Sequence, residues 1–212
     1  MAKALAERLG YLYIDTGAMY RAVALKVKEK ALGAGNESEL SALVSSLHIT
    51  FVAKDKKTSV LCNGKEVTEA IRSPEISRLA SDFSRRKVVR DALVKKQREM
   101  GREGGVVLEG RDIGTIVFPD AEIKFYLDAD TEERGRRRFI ELVGKGMKVD
   151  FNDTLEEVKQ RDHQDMSRAI SPLRKAEDAF CIDSTGRTVE EVVEEMFQRV
   201  MDRQRKDETL HR

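Results

Sequence analysis

The sequence predicts an α/β fold in which a parallel sheet is covered by helices on both faces. Three observations lead there. Short apolar stretches, YLYID at 11–15, VVLEG at 106–110, AEIKFYLDAD at 121–130 and DAFCIDST at 178–185, occur singly and are separated by helical periods. Strands separated in this way run parallel and bury both faces. One region breaks the rhythm: HITFVAKDKKTSVLCNGKEVTEAI at 48–71 carries an Asn-Gly turn between strand-like runs, the pattern of an antiparallel patch. Finally, the polar clusters DTGAMYR, EGRDIGT and DADTEERGRRR fall where three of the single strands end, and sheets of this class bind ligands beyond the carboxyl ends of their strands.

Taken in order, AKALAERLG predicts a helix over about 2–9 with Gly10 closing it. The strand at 11–15 follows, then a helix over about 17–31 with Ala18, Met19, Ala22, Val23, Leu25 and Val27 mostly on its inner side. A further helix starts near Glu37 with Asn36 as N-cap. The antiparallel patch then reads as strand, turn, strand, Asn-Gly turn and short strand, placing about 36–72 in a small inserted subdomain. SPEISRLASDFSRRKVVRDALVKKQREMGRE gives one or two helices, VVLEG a buried strand, and RDIGT the loop after it. TEERGRRRFIELVGKG is a helix after the strand in AEIKFYLDAD, and VDFNDTLEEVKQRDHQDMSR another that breaks near SPL. DAFCIDST is the last strand, TVEEVVEEMFQRVMDRQRK a terminal helix with Thr188 as N-cap, and QRKDETLHR a frayed tail.

Composition excludes several functions. The 212 residues carry a net charge of +1 despite being 36% charged, so no bulk field draws the chain to nucleic acid or membrane. No apolar run reaches the roughly 20 residues that span a bilayer, and the N-terminal segment is not a signal peptide. Cys62 and Cys181 lie far apart without metal-ligand spacing and read as reduced thiols. His48, His163 and His211 form no triad or metal grouping. A soluble cytoplasmic protein is expected.

EGRDIGT sets Glu109, Arg111 and Asp112 on a tight turn leaving a buried strand, with Arg111 and Asp112 directed to the crevice; a surface loop with an ion pair has the same pattern, and the position at a strand end favours function. Arg21, Arg90, Arg111, Arg161 and Arg168 come from different segments. The run RGRRR is a solvated helix face or a nucleic-acid patch, since at helical spacing its four arginines cannot face one ligand. Arg161, Asp165 and Arg168 stand at i, i+4 and i+7, one face that suits a phosphate and a sugar hydroxyl; a charge-laced helix has the same spacing.

Together, DTGAMYR, the hairpin insert, IRSPEIS, VVRDALVKKQR, EGRDIGT, VFPDA, FYLDA, EERGRRR and QRDHQDMSRAISPL resemble the bacterial cytidylate kinases, in order from Lys3 to the final helix. The resemblance implies a three-layer P-loop NTPase-type parallel sheet with an inserted NMP-binding subdomain and a helical lid. It divides the chain into a core of about 1–35, 86–132 and 176–212, an insert of about 36–85 and a lid of about 133–175. The implied reaction is transfer of the ATP γ-phosphate to CMP or dCMP by a monomeric phosphotransferase that uses Mg²⁺. By position, Thr16 and Arg21 match residues beside the acceptor, with Arg21 on its phosphate. Ser81, Arg90 and Asp112 match readers of the cytosine edge, and Arg111 a phosphate ligand. Arg161 and Arg168 resemble the arginines that neutralise the transferring phosphoryl group, Asp165 the holder of the sugar, and Arg134 a lid residue near the donor. Glu109 stands where the family often has Asp and would act on Mg²⁺ through water.

The chain contains no G-x-x-x-x-G-K-[ST] motif, with which such kinases cradle donor phosphates. The expectation is that the true start lies upstream of Met1, a valine codon having been read as the start, with roughly 15–20 residues of strand and phosphate loop before it. As written, the chain is expected to bind ATP poorly and to lack a strand of its sheet. The alternative is a non-catalytic nucleotide-binding paralogue.

Overall fold

Two compact units, Ala2–Val117 and Phe118–Arg212 together with Met1, make up the computed structural model, which describes all residues except 33–35, 55–56 and 211–212. Part of the turn expected between the first two strands of the antiparallel patch, His211 and the end of the expected tail therefore lie outside the described residues.

In the first unit, α1 (Ala2–Leu9) buries Ala2, Leu5 and Ala6 and hands the chain to β1 (Leu12–Asp15). Helix α2 (Thr16–Glu29) starts at once because Asp15 caps it, its carboxylate accepting the Ala18 N–H. Helix α3 (Glu37–Ser46) is capped by Asn36 as the sequence predicts. Strands β2 (Ile49–Lys54), β3 (Lys57–Cys62) and β4 (Lys65–Glu66) form the expected antiparallel sheet, in order β2-β3-β4. Its tight turn places Asn63 and Gly64 at positive φ, which explains the Asn-Gly pair. Two helices follow, α4 (Pro74–Phe83), capped by Ser73, and α5 (Lys87–Met100). Strand β5 (Val106–Glu109) pairs in parallel with β1.

The core of this unit is continuous. Ile14, Met19 and Val23 pack with Leu40, Val44, Ile49, Ile71, Val89 and Leu93, so the hairpin insert and the β1–α2 element share one apolar cluster.

In the second unit, β6 (Phe125–Asp128) and β7 (Phe180–Asp183) form a second parallel pair. Helices α6 (Thr131–Gly144) and α7 (Phe151–Ser167) pack on each other at Gly135, where a Cβ would stand 2.6 Å from Leu155 Cδ1. Lys124 is buried against the Asp178 carboxylate at 2.7 Å and the Pro119 carbonyl, which ties the entries to the two strands. Helix α8 (Val189–Leu210) buries Val192, Val193, Met196 and Val200. Its start is a reciprocal capping box: Thr188 Oγ1 accepts the Glu191 N–H at 3.2 Å while Glu191 accepts the Thr188 N–H at 2.8 Å.

The parallel strands of the predicted α/β class form two pairs, β1-β5 and β6-β7. Two expectations are corrected. The RDIGT segment is not an open loop but enters a π turn over Ile113–Val117, held because Arg98 donates to the carbonyls of Ile116 (2.7 Å) and Val117 (2.9 Å). The last helix runs on to Leu210 where a frayed tail was expected, since successive helical bonds continue and Thr209 Oγ1 donates to the Arg205 carbonyl.

Candidate functional site

The register of β1 on β5 sets Asp15 opposite Glu109, so the turns DTG and EGRD leave the sheet side by side. Thr16 Oγ1 donates to the Glu109 carbonyl at 2.7 Å and ties the two turns together. Arg21, one and a half helical turns on, folds back so that its Nη2 donates to Asp15 Oδ2 at 2.7 Å. One carboxylate thus caps the helix through one oxygen and orients the arginine through the other. Gly17 leaves room for this, since a Cβ there would stand 3.1 Å from both Arg21 Nη1 and Asp15 Oδ1.

Two residues from Asp15 on the same face of β1, the Tyr13 hydroxyl donates to Glu109 Oε1. Burial first, then the neighbouring carboxylates of Glu109 and Asp15, push this phenol above its ordinary value of 10.0. It remains a proton donor to Glu109 at every physiological pH. An unfolded chain ionises the phenol near its ordinary value while the folded chain does not, so the stabilisation is fully present below that value and declines above it. The Tyr13→Phe variant is expected to be less stable by about 1 kcal/mol at neutral pH. That gap should narrow above about pH 10 in urea titrations; a gap independent of pH would show that the phenol ionises alike in both states.

A second constellation lies at the start of α5. Val89, Arg90, Leu93 and Gln97 form the buried stripe of this helix, which carries the Arg90 guanidinium into the interior. There Nη2 donates to Asp112 Oδ2 in an ion pair that is 2% and 6% exposed on its two sides. Nη1 donates to the Ser84 carbonyl at 3.0 Å, Ser84 Oγ donates to the Ser81 carbonyl at 2.7 Å, and the Tyr20 ring lies 5.6 Å from the guanidinium carbon. Asp112 is held because the π turn bonds its carbonyl to the N–H groups of Ile116 (2.9 Å) and Val117 (3.3 Å). The Nε of Arg90 is buried without a hydrogen-bond partner among the described residues. Taking two charges out of water is costly, and a donor left over in such a place is one a ligand can use.

In the second unit the arginine run disperses, as helical spacing requires. Arg134 lies 2.9 Å from Asp162 and 3.5 Å from Asp128. Arg136 and Arg137 both grip Glu133, and Arg138 pairs with Glu141. Arg137 also donates to the hydroxyl (3.0 Å) and carbonyl (2.6 Å) of Ser184, fastening α6 to the end of β7. Helix α7 ends at Ser167, so Arg161 and Asp165 stand on it while Arg168 is its C-cap in extended backbone. Asp165 is buried; the Arg168 guanidinium comes within 3.6 Å of its carboxylate and also donates through Nε to the Ser171 carbonyl. Asp165 further accepts the Leu173 N–H on its own carbonyl at 2.7 Å, folding the SPL segment back over the helix end. Arg161, one turn earlier, is exposed.

Of the residues singled out in the sequence, Arg90 and Asp112 meet directly, and Ser81 is joined to Arg90 through Ser84. Thr16 meets the backbone of Glu109, and Asp165 meets Arg168. Arg111 is exposed on the turn between Gly110 and Asp112. Sequence reasoning missed Tyr13, Asp15, Tyr20 and Ser84. Asp15 had a local signal, an Asp three residues before a helical N–H; Tyr13 had only its two-residue offset from Asp15. No group of three or more His, Cys, Asp or Glu able to hold a metal occurs among the described residues, and no described helix is long and apolar enough to cross a membrane.

Comparison with known proteins gives one consistent picture. A family model described as cytidylate kinase matches residues 1–202. The cytidylate kinase of Geobacter sulfurreducens is 52% identical over 205 residues, 97% of this chain and 88% of that protein. The cytidylate kinase of Caldicellulosiruptor bescii is 46% identical over 93% of this chain and 88% of its own length. That of Bacillus subtilis is 42% identical over 97% and 92%.

Proposed function

Because the chain belongs to the cytidylate kinase family, we propose that it transfers the γ-phosphate of ATP to CMP or dCMP, giving CDP or dCDP. The observation that carries this reading is the buried Arg90–Asp112 pair beside the Ser81–Ser84 turn. Cytosine offers an amino donor next to ring-nitrogen and carbonyl acceptors. A carboxylate and a guanidinium fixed side by side match that edge, and a base lacking it would leave buried hydrogen-bonding capacity of the pair unmet. The unpartnered Nε of Arg90 supplies one more donor.

In this reading Thr16 and Arg21 receive the acceptor near its phosphate, with Arg111 as a further phosphate ligand. Asp165 holds the sugar, and Arg161 and Arg168 neutralise charge on the phosphoryl group in flight. Arg134 lies toward the donor. Residues 36–85 form the acceptor insert, 133–175 the lid, and the remainder the core. The acceptor phosphate oxygen attacks the γ-phosphorus in line, without a covalent enzyme intermediate, and exclusion of water strengthens each arginine contact. Mg²⁺ keeps much of its water shell and is usually bound through one or two carboxylates together with substrate phosphates. Glu109 would hold it through water, its Oε1 being oriented by Tyr13. When bound, the ion neutralises phosphate charge. A cytoplasmic monomer fits the family.

Calorimetric titration with CMP, dCMP, UMP and AMP, followed by chromatography of CMP–ATP–Mg²⁺ mixtures, tests the proposal. CMP and dCMP are expected to bind in preference to AMP, and CDP to form slowly, since the chain contains no G-x-x-x-x-G-K-[ST] motif to cradle the donor phosphates. Equal affinity for AMP and CMP, or no nucleotide binding at all, would overturn it.

A further inference from the structure

Within the Ala2–Val117 unit, a cavity of about 80 Å³ opens between the antiparallel sheet and the β1–α2 turn. It is room for two or three waters or one phosphate-sized anion. Its lining brings Arg21 and Arg72 to one space, with Lys3, Thr58 and Thr68 around them. Only Arg21 among these was expected to touch a ligand.

Arg72 is placed firmly. It ends the short 3-10 turn Ala70–Arg72, between Ile71, which is 1% exposed in the shared core, and Ser73, which caps α4 by accepting the Ile76 N–H. The backbone is therefore pinned on both sides while the guanidinium remains half exposed. Its ion pair is with Glu69, at 3.7 Å and with both partners largely in water. Such a pair is worth little and yields readily to a better anion. Arg21 is held by Asp15 through Nη2 alone, which leaves the other edge of its fork for a ligand. Two planar forks converging on a space of this size suit a dianionic phosphoryl group, which accepts from both.

We infer that Arg72, carried by the insert, is a third arginine, beside Arg21 and Arg111, for the phosphate of the nucleotide acceptor and sets the preference for a monophosphate over the bare nucleoside. The assignment rests on the cytidylate kinase reading and deepens it. It also gives the insert a chemical role, since the hairpin's covalent neighbour then closes the phosphate end of the site that Arg21 opens.

The test is calorimetric titration of the full chain and its Arg72→Ala and Arg72→Lys variants with CMP and with cytidine. Arg72→Ala is expected to weaken CMP binding by about tenfold or more, as loss of a charge-assisted pair does. Cytidine affinity should be unchanged, because the base contacts lie elsewhere, and Arg72→Lys should recover part of the CMP affinity. Unchanged CMP affinity in Arg72→Ala, or parallel loss of CMP and cytidine, overturns the assignment alone. Failure of the unsubstituted chain to bind CMP overturns the acceptor reading and the assignment with it.

Discussion

Replacing Asp112 by alanine is expected to cost about 3–5 kcal/mol of stability, because it strands the Arg90 guanidinium in a site it cannot leave. Arg90 is 2% exposed, and with Asp112 gone its charge keeps, among the described residues, the Ser84 carbonyl and the Tyr20 ring as partners. At that cost the melting temperature should fall by roughly 10 °C or more. The reverse substitution, Arg90→Met, should cost less than Asp112→Ala, since a buried carboxylate can take up a proton whereas a guanidinium cannot lose one. The informative variant is the double one, Arg90→Met with Asp112→Leu. Removing both charges removes the desolvation penalty, so the double variant should be clearly more stable than Asp112→Ala. It should nevertheless bind CMP no better than either single variant. Recovery of stability without recovery of binding would mean the pair is kept for recognition. If the double variant is as unstable as Asp112→Ala, the pair is a packing element and the cytosine assignment loses its main support.

That pair shows where sequence reading reaches its limit. EGRDIGT could be marked as functional from position alone, because a polar cluster at the end of a buried strand has few structural reasons to exist. That Asp112 would find Arg90, 22 residues earlier, follows from the way α5 turns its Val89, Arg90, Leu93 and Gln97 stripe inward against the π turn. No local pattern encodes it. The caps behave in the opposite way. Asn36 and Thr188 were legible because capping depends on a few consecutive residues. The arginine run was half legible. Spacing ruled out a common ligand, but not that Arg137 would be spent on Ser184 and Arg134 on Asp128 and Asp162. Those partners arrive from strands and helices whose packing only the fold supplies. The face of Arg161, Asp165 and Arg168 was read as continuous helix. The helix stops one residue early, at Ser167, and Arg168 reaches Asp165 through its own extended backbone.

Gly110 supports a second large effect, and one with a sharper diagnosis. It follows Glu109 at the end of β5, and a Cβ there would stand 2.4 Å from Thr16 Oγ1 and 2.8 Å from Ile113 Cδ1. Both distances are far inside van der Waals contact, so something must move. Thr16 is 3% exposed, β-branched, and holds the Glu109 carbonyl through the same oxygen that would be struck. Gly110→Ala is therefore expected to destabilise by about 1–3 kcal/mol through overpacking. It should also weaken CMP binding, because relief moves either Thr16 or the turn that carries Arg111 and Asp112. The cause can be isolated by a double-mutant cycle with Thr16→Ala. Thr16→Ala alone loses the tie between the two turns. In the Gly110→Ala background the same change also removes the struck hydroxyl, so the double variant should be more stable than the sum of the two single effects predicts, by about 0.5 kcal/mol or more. Recovery should stay partial because Ile113 still crowds the new methyl. Additive effects would show instead that Ile113 alone absorbs the strain, and then Gly110→Ala with Ile113→Ala is the pair that should recover. Either outcome identifies which neighbour requires glycine at the point where the chain turns from the sheet into the site.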